Sequence, residues 1–261
     1  MLDRMADTAP PAEDQKHEPV VSEAATNYDR GHGGEERGRE VGAELAPHLV
    51  PGPVAEVGTG TGLIAFGLRE LGHPVVGVDI DGELLTGAYA RLGPSVVQGD
   101  AQALPFATGS LSNLVYVHVL HLLDDMPGGL AEAVRVLRPG GRLVAVHGVP
   151  TTDLGDMAEP FAPLVPLTYL KDEPHWLDPA AEEAGLRLVH RGHAGGYEGG
   201  MSPAQYAYSI EKKFWSYLTD MDDETWRTTV VPVIDGLRAL PDPDRERNLQ
   251  WHVHLGVYAR D

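Results

Sequence analysis

The residues best suited to hold a ligand lie in one stretch, Val54-Ala55-Glu56-Val57-Gly58-Thr59-Gly60-Thr61-Gly62. An apolar run, an acid and three alternating glycines follow one another there. Glycine lets a backbone approach a ligand with no Cβ in the way. Further on, Val75-Val76-Gly77-Val78-Asp79 is a second apolar run that ends in an acid. An ionised carboxylate at a strand end can accept hydrogen bonds from two ribose hydroxyls. Two departures from a dinucleotide fingerprint narrow the ligand. Leu63 stands where a third glycine would, and Glu56 precedes the turn, where a pyrophosphate would be repelled. The loop suits a nucleotide-type cofactor without phosphates.

Other chemistry-bearing residues follow. Tyr116-Val117-His118-Val119-Leu120-His121 ends a third apolar run with two imidazoles. Near pH 7 a neutral imidazole accepts a proton from a hydroxyl or a protonated amine, so His121 is the best available general base. His118, His121 and His147 show no evident carboxylate partner, and no metal is expected. His252 and His254 alternate on one face of a late strand and read as structural or surface residues.

These residues need a scaffold that brings strand ends together. Strands are expected near 54–57, 75–79, 95–98, 113–118 and 142–147, with helices near 61–71, 82–92 and 127–137. Gly72-His73-Pro74 and Gly93-Pro94 close two of the helices. The alternation predicts a parallel sheet covered on both faces, with ligands beyond the carboxyl ends of its strands. Before it, residues 20–49 read as helical with a break at Gly31-His32-Gly33-Gly34; Val41, Leu45 and Leu49 form one stripe. After Gly148 the pattern changes. A helix near 178–184 and a strand near 186–191 lead to a glycine-rich turn from Gly192 to Gly200. Helices near 203–218 and 223–239 and a strand near 250–258 complete the chain.

The motifs resemble those of class I S-adenosylmethionine-dependent methyltransferases, in the branch of quinone and secondary-metabolite enzymes. Glu56 to Gly62 matches the first motif and Gly77-Val78-Asp79-Ile80-Asp81 the second. Gln98-Gly99-Asp100-Ala101 with Leu104-Pro105-Phe106 matches the third, and Leu137-Arg138-Pro139-Gly140-Gly141-Arg142-Leu143 the stretch before the fifth strand. The resemblance covers roughly Glu35 to Arg191. It implies an α/β, Rossmann-like, seven-stranded, mostly parallel sheet with its last strand antiparallel and helices on both faces. A helical lid would come from the N-terminus and the 149–176 and 201–240 segments.

The resemblance also implies roles. Gly58, Gly60 and Gly62 would wrap the methionine end of S-adenosylmethionine, with Glu56 anchoring the loop and Thr59 and Thr61 offering hydroxyls. Asp79 would bind the ribose beside Ile80, and Asp81 would cap the next helix. Asp100 and the Ala101 amide would meet adenine between walls from Leu85 and Leu104. Tyr28, in Tyr28-Asp29-Arg30, would fold over the cofactor. His118 would stand between cofactor and acceptor, as catalytic and cofactor-binding residue, beside the base His121. His147, His175, Trp176, Tyr197 and Tyr206 would supply the acceptor site. The implied reaction is methyl transfer to a small molecule, O-methylation being favoured on the His121 argument. The alternative is an S-adenosylmethionine-binding enzyme of natural-product biosynthesis that promotes a cyclisation or decarboxylation.

Composition sets outer limits. The formal net charge is −19 and no lysine/arginine cluster stands out, so nucleic acid is not an expected partner. No apolar run approaches a membrane span, and the first twenty residues lack a signal-peptide core. With no cysteine, disulfides and thiolate metal sites are excluded. A bacterial, cytoplasmic, monomeric or homodimeric enzyme is expected. Its parts are a disordered tail over 1–20, a helical lid element over 21–50 and a methyltransferase domain over 51–261 with lid insertions.

Overall fold

In the computed structural model, residues 20–261 are described, apart from 169, 196 and 220. The tail expected over 1–20 therefore lies outside the described residues except for Val20. Ser22 caps helix α1 (Glu23–Gly31) by accepting a hydrogen bond from Ala25 N. The same residue ties the helix inward: Ser22 Oγ donates to Glu83 O and Ser22 N to Thr86 Oγ1, both at 2.9 Å. Gly33, at φ 76°, takes the left-handed turn into α2 (Gly34–Leu45).

The next elements alternate as expected. They are β1 (Val54–Val57), α3 (Leu63–Glu70), β2 (Val75–Asp79), α4 (Leu85–Leu92), β3 (Val96–Gln98), β4 (Leu111–Val117), α5 (Met126–Val136) and β5 (Leu137–Thr152). All four residues of β1 are buried, as befits a central parallel strand with helices on both faces. Asn113 fixes the way in. Its side-chain amide accepts from Val50 N and donates to Val50 O, each at 2.8 Å.

The second half comprises α6 (Ala158–Phe161), α7 (Pro174–Ala184), β6 (Leu186–His193), β7 (Tyr197–Met201), α8 (Pro203–Glu211), α9 (Asp223–Thr225), α10 (Val231–Arg238) and β8 (Arg247–Arg260). The main sheet order is β3-β2-β1-β4-β5-β8-β6. β1 to β5 are parallel, and β8 runs antiparallel to both β5 and β6. That is the expected seven-stranded sheet with its last strand reversed. The region read as a glycine-rich turn also contains an extra strand: β7 pairs with β8 from Tyr197↔Trp251 to Met201↔Arg247. β5 likewise continues past His147, pairing Thr152 with Trp251 after a register shift. β5, β8 and β7 thus extend beyond the sheet's carboxyl edge.

Two apolar clusters cover the two faces of the sheet. One packs Leu143, Ala145 and Tyr258 against α5 and α7; the other packs Val144, Val146 and Val257 with Val41, Leu45 and Leu68 of α2 and α3. The N-terminal helices therefore dock on α3 and α4. A Cβ on Gly38 would lie 2.2 Å from Leu63 O, and one on Gly67 would lie 2.3 Å from Gly38 O. Only glycine lets α2 and α3 come so close.

The 149–176 and 201–240 segments, expected as parts of a lid, pack together as a cap with its own core. Met157, Phe161 and Leu164 pack there with Tyr206, Ile210, Leu218, Val233 and Leu249. The helix expected over 203–218 stops at Glu211. Lys213 takes a left-handed φ of 54°, and Phe214 N donates to Ser209 O, which is how a helix closes its last carbonyls. The helix expected over 223–239 runs from Asp223 to Arg238 through a π-helical turn at Trp226–Val230.

Candidate cofactor and transfer site

The turn after β1 is built by three left-handed glycines, Gly58 (φ 72°), Gly60 (φ 54°) and Gly62 (φ 78°). Gly58 N and Thr59 N donate to Val78 O at 2.8 and 3.0 Å, which ties the loop to β2. A Cβ on Gly58 would meet Val119 Cγ2 at 2.2 Å, so the loop after β4 packs directly on the glycine turn. Glu56 is buried beneath it. A single carboxylate oxygen, Oε2, accepts from Thr59 Oγ1 at 2.6 Å and from Ala65 N at 2.8 Å. Burial, opposed only in part by these bonds, raises its pKa to about 7.

Asp79 stands at the carboxyl end of β2. Its Oδ2 accepts from Gly60 N at 2.6 Å and its Oδ1 from Asp81 N at 2.9 Å. Two bonds leave about half of a carboxylate's acceptor capacity. Asp81 Oδ1 accepts from Glu83 N and Leu84 N in the turn that leads into α4, whose own N-cap, Leu84, receives no side-chain bond. Ile80 beside it is 68% exposed. After β3, Asp100 Oδ1 accepts from Gln102 N at 2.8 Å, and Ala101 is buried.

Tyr28 of α1 lies over the glycine turn. A Cβ on Gly60 would sit 3.5 Å from its ring, and the ring stacks on His32 at 3.8 Å. Burial and the nearby Glu56, Asp79 and Asp29 carboxylates push the Tyr28 phenol up to about 12. Asp29 locks this placement. It accepts from Thr61 Oγ1 and pairs with Arg91 Nη2, each at 2.5 Å, while Arg91 Nη1 donates to Thr61 O at 2.9 Å. In the sequence Asp29 is visible only as part of a tripeptide, and Arg91 is not singled out at all. Their separation of 62 residues gives no local signal.

The turn after β4 carries the two imidazoles. His118 holds a φ of 55°, uncommon for a side chain with a Cβ, and its N–H donates to Val146 O at 2.9 Å. The residue is exposed to water, with the His121, His32 and His147 rings near it. Desolvation, then the neighbouring His121 imidazole, lower its pKa. His121 has its Nδ1 3.2 Å from Asp172 Oδ2, and the two side chains are 7% and 0% exposed. Asp172 was missed in the sequence because it lies 51 residues away in a segment without periodicity. It is the carboxylate partner that the sequence does not show for the histidines. Among the described residues no group of three or more His, Asp or Glu has a metal-holding arrangement.

The residues expected at the acceptor are scattered. His147 is fully buried, with its Nδ1 2.7 Å from Asp172 O and no hydrogen-bond partner for Nε2 among the described residues. Tyr206 is 2% exposed and packs inside the cap core against Phe161, Trp215 and Trp251, not on an open surface. Its place at helical spacing with Ile210 is that of a core stripe. His175 and Trp176 stand exposed on the first turn of α7, their rings 5.4 Å apart. Tyr197 begins β7, and its side chain lies outside the described residues.

A glycine turn, a carboxylate at the end of β2, an acid after β3 and imidazoles after β4 thus share the carboxyl edge of a 3-2-1-4-5 parallel sheet. This edge and sheet order agree with the fold that the resemblance to class I S-adenosylmethionine-dependent methyltransferases implies. Residues 55–145 match the family model described as a methyltransferase domain. The chain is 33% identical over 143 residues to demethylmenaquinone methyltransferase of Thermus thermophilus; the match covers 50% of this chain and 65% of that enzyme's length. In solved structures, the fold is shared with phosphoethanolamine N-methyltransferase 2 of Haemonchus contortus, in complex with phosphomonomethylethanolamine and S-adenosylhomocysteine. That match has a TM-score of 0.52 and 16% identity, and covers 90% of this chain and 56% of that one. The fold is shared equally with the [4+2]-cyclase SpnF, at a TM-score of 0.52 and 16% identity over 85% of this chain and 80% of that one.

Proposed function

We propose that this chain transfers a methyl group from S-adenosylmethionine to a hydroxyl of a small-molecule metabolite. The observation that carries the reading is Asp79. It is held by Gly60 N and Asp81 N at the mouth of the glycine turn, with acceptor capacity left for a ribose. Gly58, Gly60 and Gly62 would take the methionine end, the Ala101 amide would meet adenine between Leu85 and Leu104 with Ile80 beside the ribose, and Asp100 would accept from the adenine amino group. Thr59, tied to Glu56, would hold the turn in shape. When bound, the cofactor supplies a methyl on a sulfonium, whose sulfur keeps the C–S electron pair as the methyl passes to the acceptor oxygen.

The chain's own residues do the rest. Glu56, with a pKa near 7, would favour its ionised form beside a cationic ligand. Tyr28, laid on Gly60, would exclude water. His118 would line the space between cofactor and acceptor. His121 would take the hydroxyl proton, and its buried carboxylate neighbour supports O-methylation. The acidic surface, net −19, supports a metabolite over a nucleic acid. No helix among the described residues is long and apolar enough to cross a membrane. A cytoplasmic enzyme of secondary metabolism, monomeric or dimeric, with His175 and Trp176 at the acceptor entrance, completes the proposal.

Titration calorimetry with S-adenosylhomocysteine tests it. Wild type is expected to bind in the micromolar range. Asp79→Ala removes at least one charge-assisted bond of about 1.5–3 kcal/mol and the support of Gly60 N, so binding should weaken at least tenfold. A folded wild type that does not bind would overturn the reading.

A further inference from the structure

We infer that His32 binds the carboxylate at the methionine end of the cofactor. The inference rests on the reading of the glycine turn as an S-adenosylmethionine site. The turn is unfavourable to one part of that ligand. Glu56, Asp79 and Asp29 all act on the phenol of Tyr28, which lies on Gly60. Three carboxylates around one turn suit the ligand's ammonium and sulfonium but repel its carboxylate. That group needs a cation on the Tyr28 side of the turn.

The basic groups nearby narrow to one. Arg91 is taken by Asp29 and by Thr61 O. Arg30 follows Tyr28 by two positions on α1, and residues so spaced do not share a helix face. Desolvation and then the His121 ring disfavour the charged form of His118. His32 follows Tyr28 by four positions and shares its face. It is the C-cap of α1, and its N–H donates to Asp29 O at 3.2 Å. Its ring stacks on that of Tyr28 at 3.8 Å and 11°. Tyr28 Cζ in turn stands 3.5 Å from where a Cβ on Gly60 would lie. His32 is therefore one stacking distance from the side chain that covers the turn, and near enough to His118 for their charges to interact.

A backbone carbonyl sets the state of the ring. His32 Nδ1 lies 2.8 Å from Tyr28 O. A carbonyl only accepts, so Nδ1 carries a hydrogen and Nε2, across the ring on an exposed residue, is left for the ligand. With a proton there as well, the ring donates to Tyr28 O and to an anion at once, and a carboxylate beside it favours that form.

Two ligands and two variants test this without knowledge of the acceptor. Calorimetry compares S-adenosylhomocysteine with its decarboxylated analogue, which keeps the adenosine, the sulfur and the ammonium. His32→Ala should weaken S-adenosylhomocysteine about tenfold, as loss of one charge-assisted bond at an exposed position would, and leave the analogue unchanged. His32→Phe keeps a ring on Tyr28 and should behave as His32→Ala does. Equal weakening of both ligands, unchanged S-adenosylhomocysteine affinity in His32→Ala, or wild-type affinity in His32→Phe overturns the inference. Such results leave the cofactor reading standing, since S-adenosylhomocysteine still binds. A folded wild type that binds neither ligand overturns that reading and the role of His32 with it.

Discussion

The glycine-turn half of the molecule and the cap sit at the same edge of one sheet but are held by different physics. Around β1, α2 and α3, backbone approaches backbone: Gly38 and Gly67 each leave less than 2.5 Å between a would-be Cβ and a carbonyl oxygen. Such contacts have no flexible side chain to give way. In the cap, rings and branched chains fill the space. Tyr206 meets Phe161 edge-on at 5.5 Å and lies parallel to Trp251 at 5.9 Å. A core of this sort tolerates exchange among apolar residues of similar volume. One half therefore has its residue identities dictated, and the other only its apolar character.

Substitutions can dissolve this contrast or make it firmer. The largest effect is expected in the cap. Ile210→Ala removes a fully buried side chain from its core and should cost about 2–5 kcal/mol in urea unfolding. Because that core is separate from the clusters under the sheet, S-adenosylhomocysteine affinity of the folded variant should stay at the wild-type value. Joint loss of both would show that the cap and the cofactor edge are one unit.

Glu56 tests the other half. An acid whose folded pKa, about 7, exceeds its unfolded value near 4.5 binds its proton more tightly when folded. Its contribution to stability is therefore best below the unfolded value and falls as pH rises from about 4.5 to about 7. Both donors share one oxygen, so the carboxamide of Glu56→Gln can accept from both. The variant should match wild type at pH 4 or below. At pH 8 it should exceed wild type by a few kcal/mol, at about 1.4 kcal/mol for each tenfold difference in proton affinity between the folded and unfolded chain. Denaturant melts at the two pH values measure this, and an equal difference at both would refute it.

The smallest expected effect is at the helix crossing. Gly38→Ala forces α2 off Leu63 O and should cost about 1–3 kcal/mol, read as a lowered melting temperature. An unchanged melt would mean that the α2–α3 approach is looser than its geometry, and would weaken the contrast between the halves.

How much could be read beforehand follows the same division. The parallel strands, their order of appearance, the glycine turn and Asp79 were legible because each is local: a valine run, a glycine at a forced φ, an acid at a strand end. Tyr206 was misplaced because helical spacing marks an inward face without saying whether a core or a ligand lies there. β7 was hidden because Tyr197-Glu198-Gly199-Gly200 is a turn by composition and a strand only through its partner β8.

By itself, then, the chain's sequence determined the parallel sheet, the glycine turn at its carboxyl edge and the exclusion of thiolate chemistry, because short-range pattern and residue chemistry suffice for these. Tertiary structure alone decided that Asp172 faces His121, that Asp29 ties Tyr28's helix to Arg91, and that two distant segments share one cap core. Each of these joins residues dozens of positions apart, and no periodicity in a single strand of sequence records which distant side chain a fold will bring within hydrogen-bond reach.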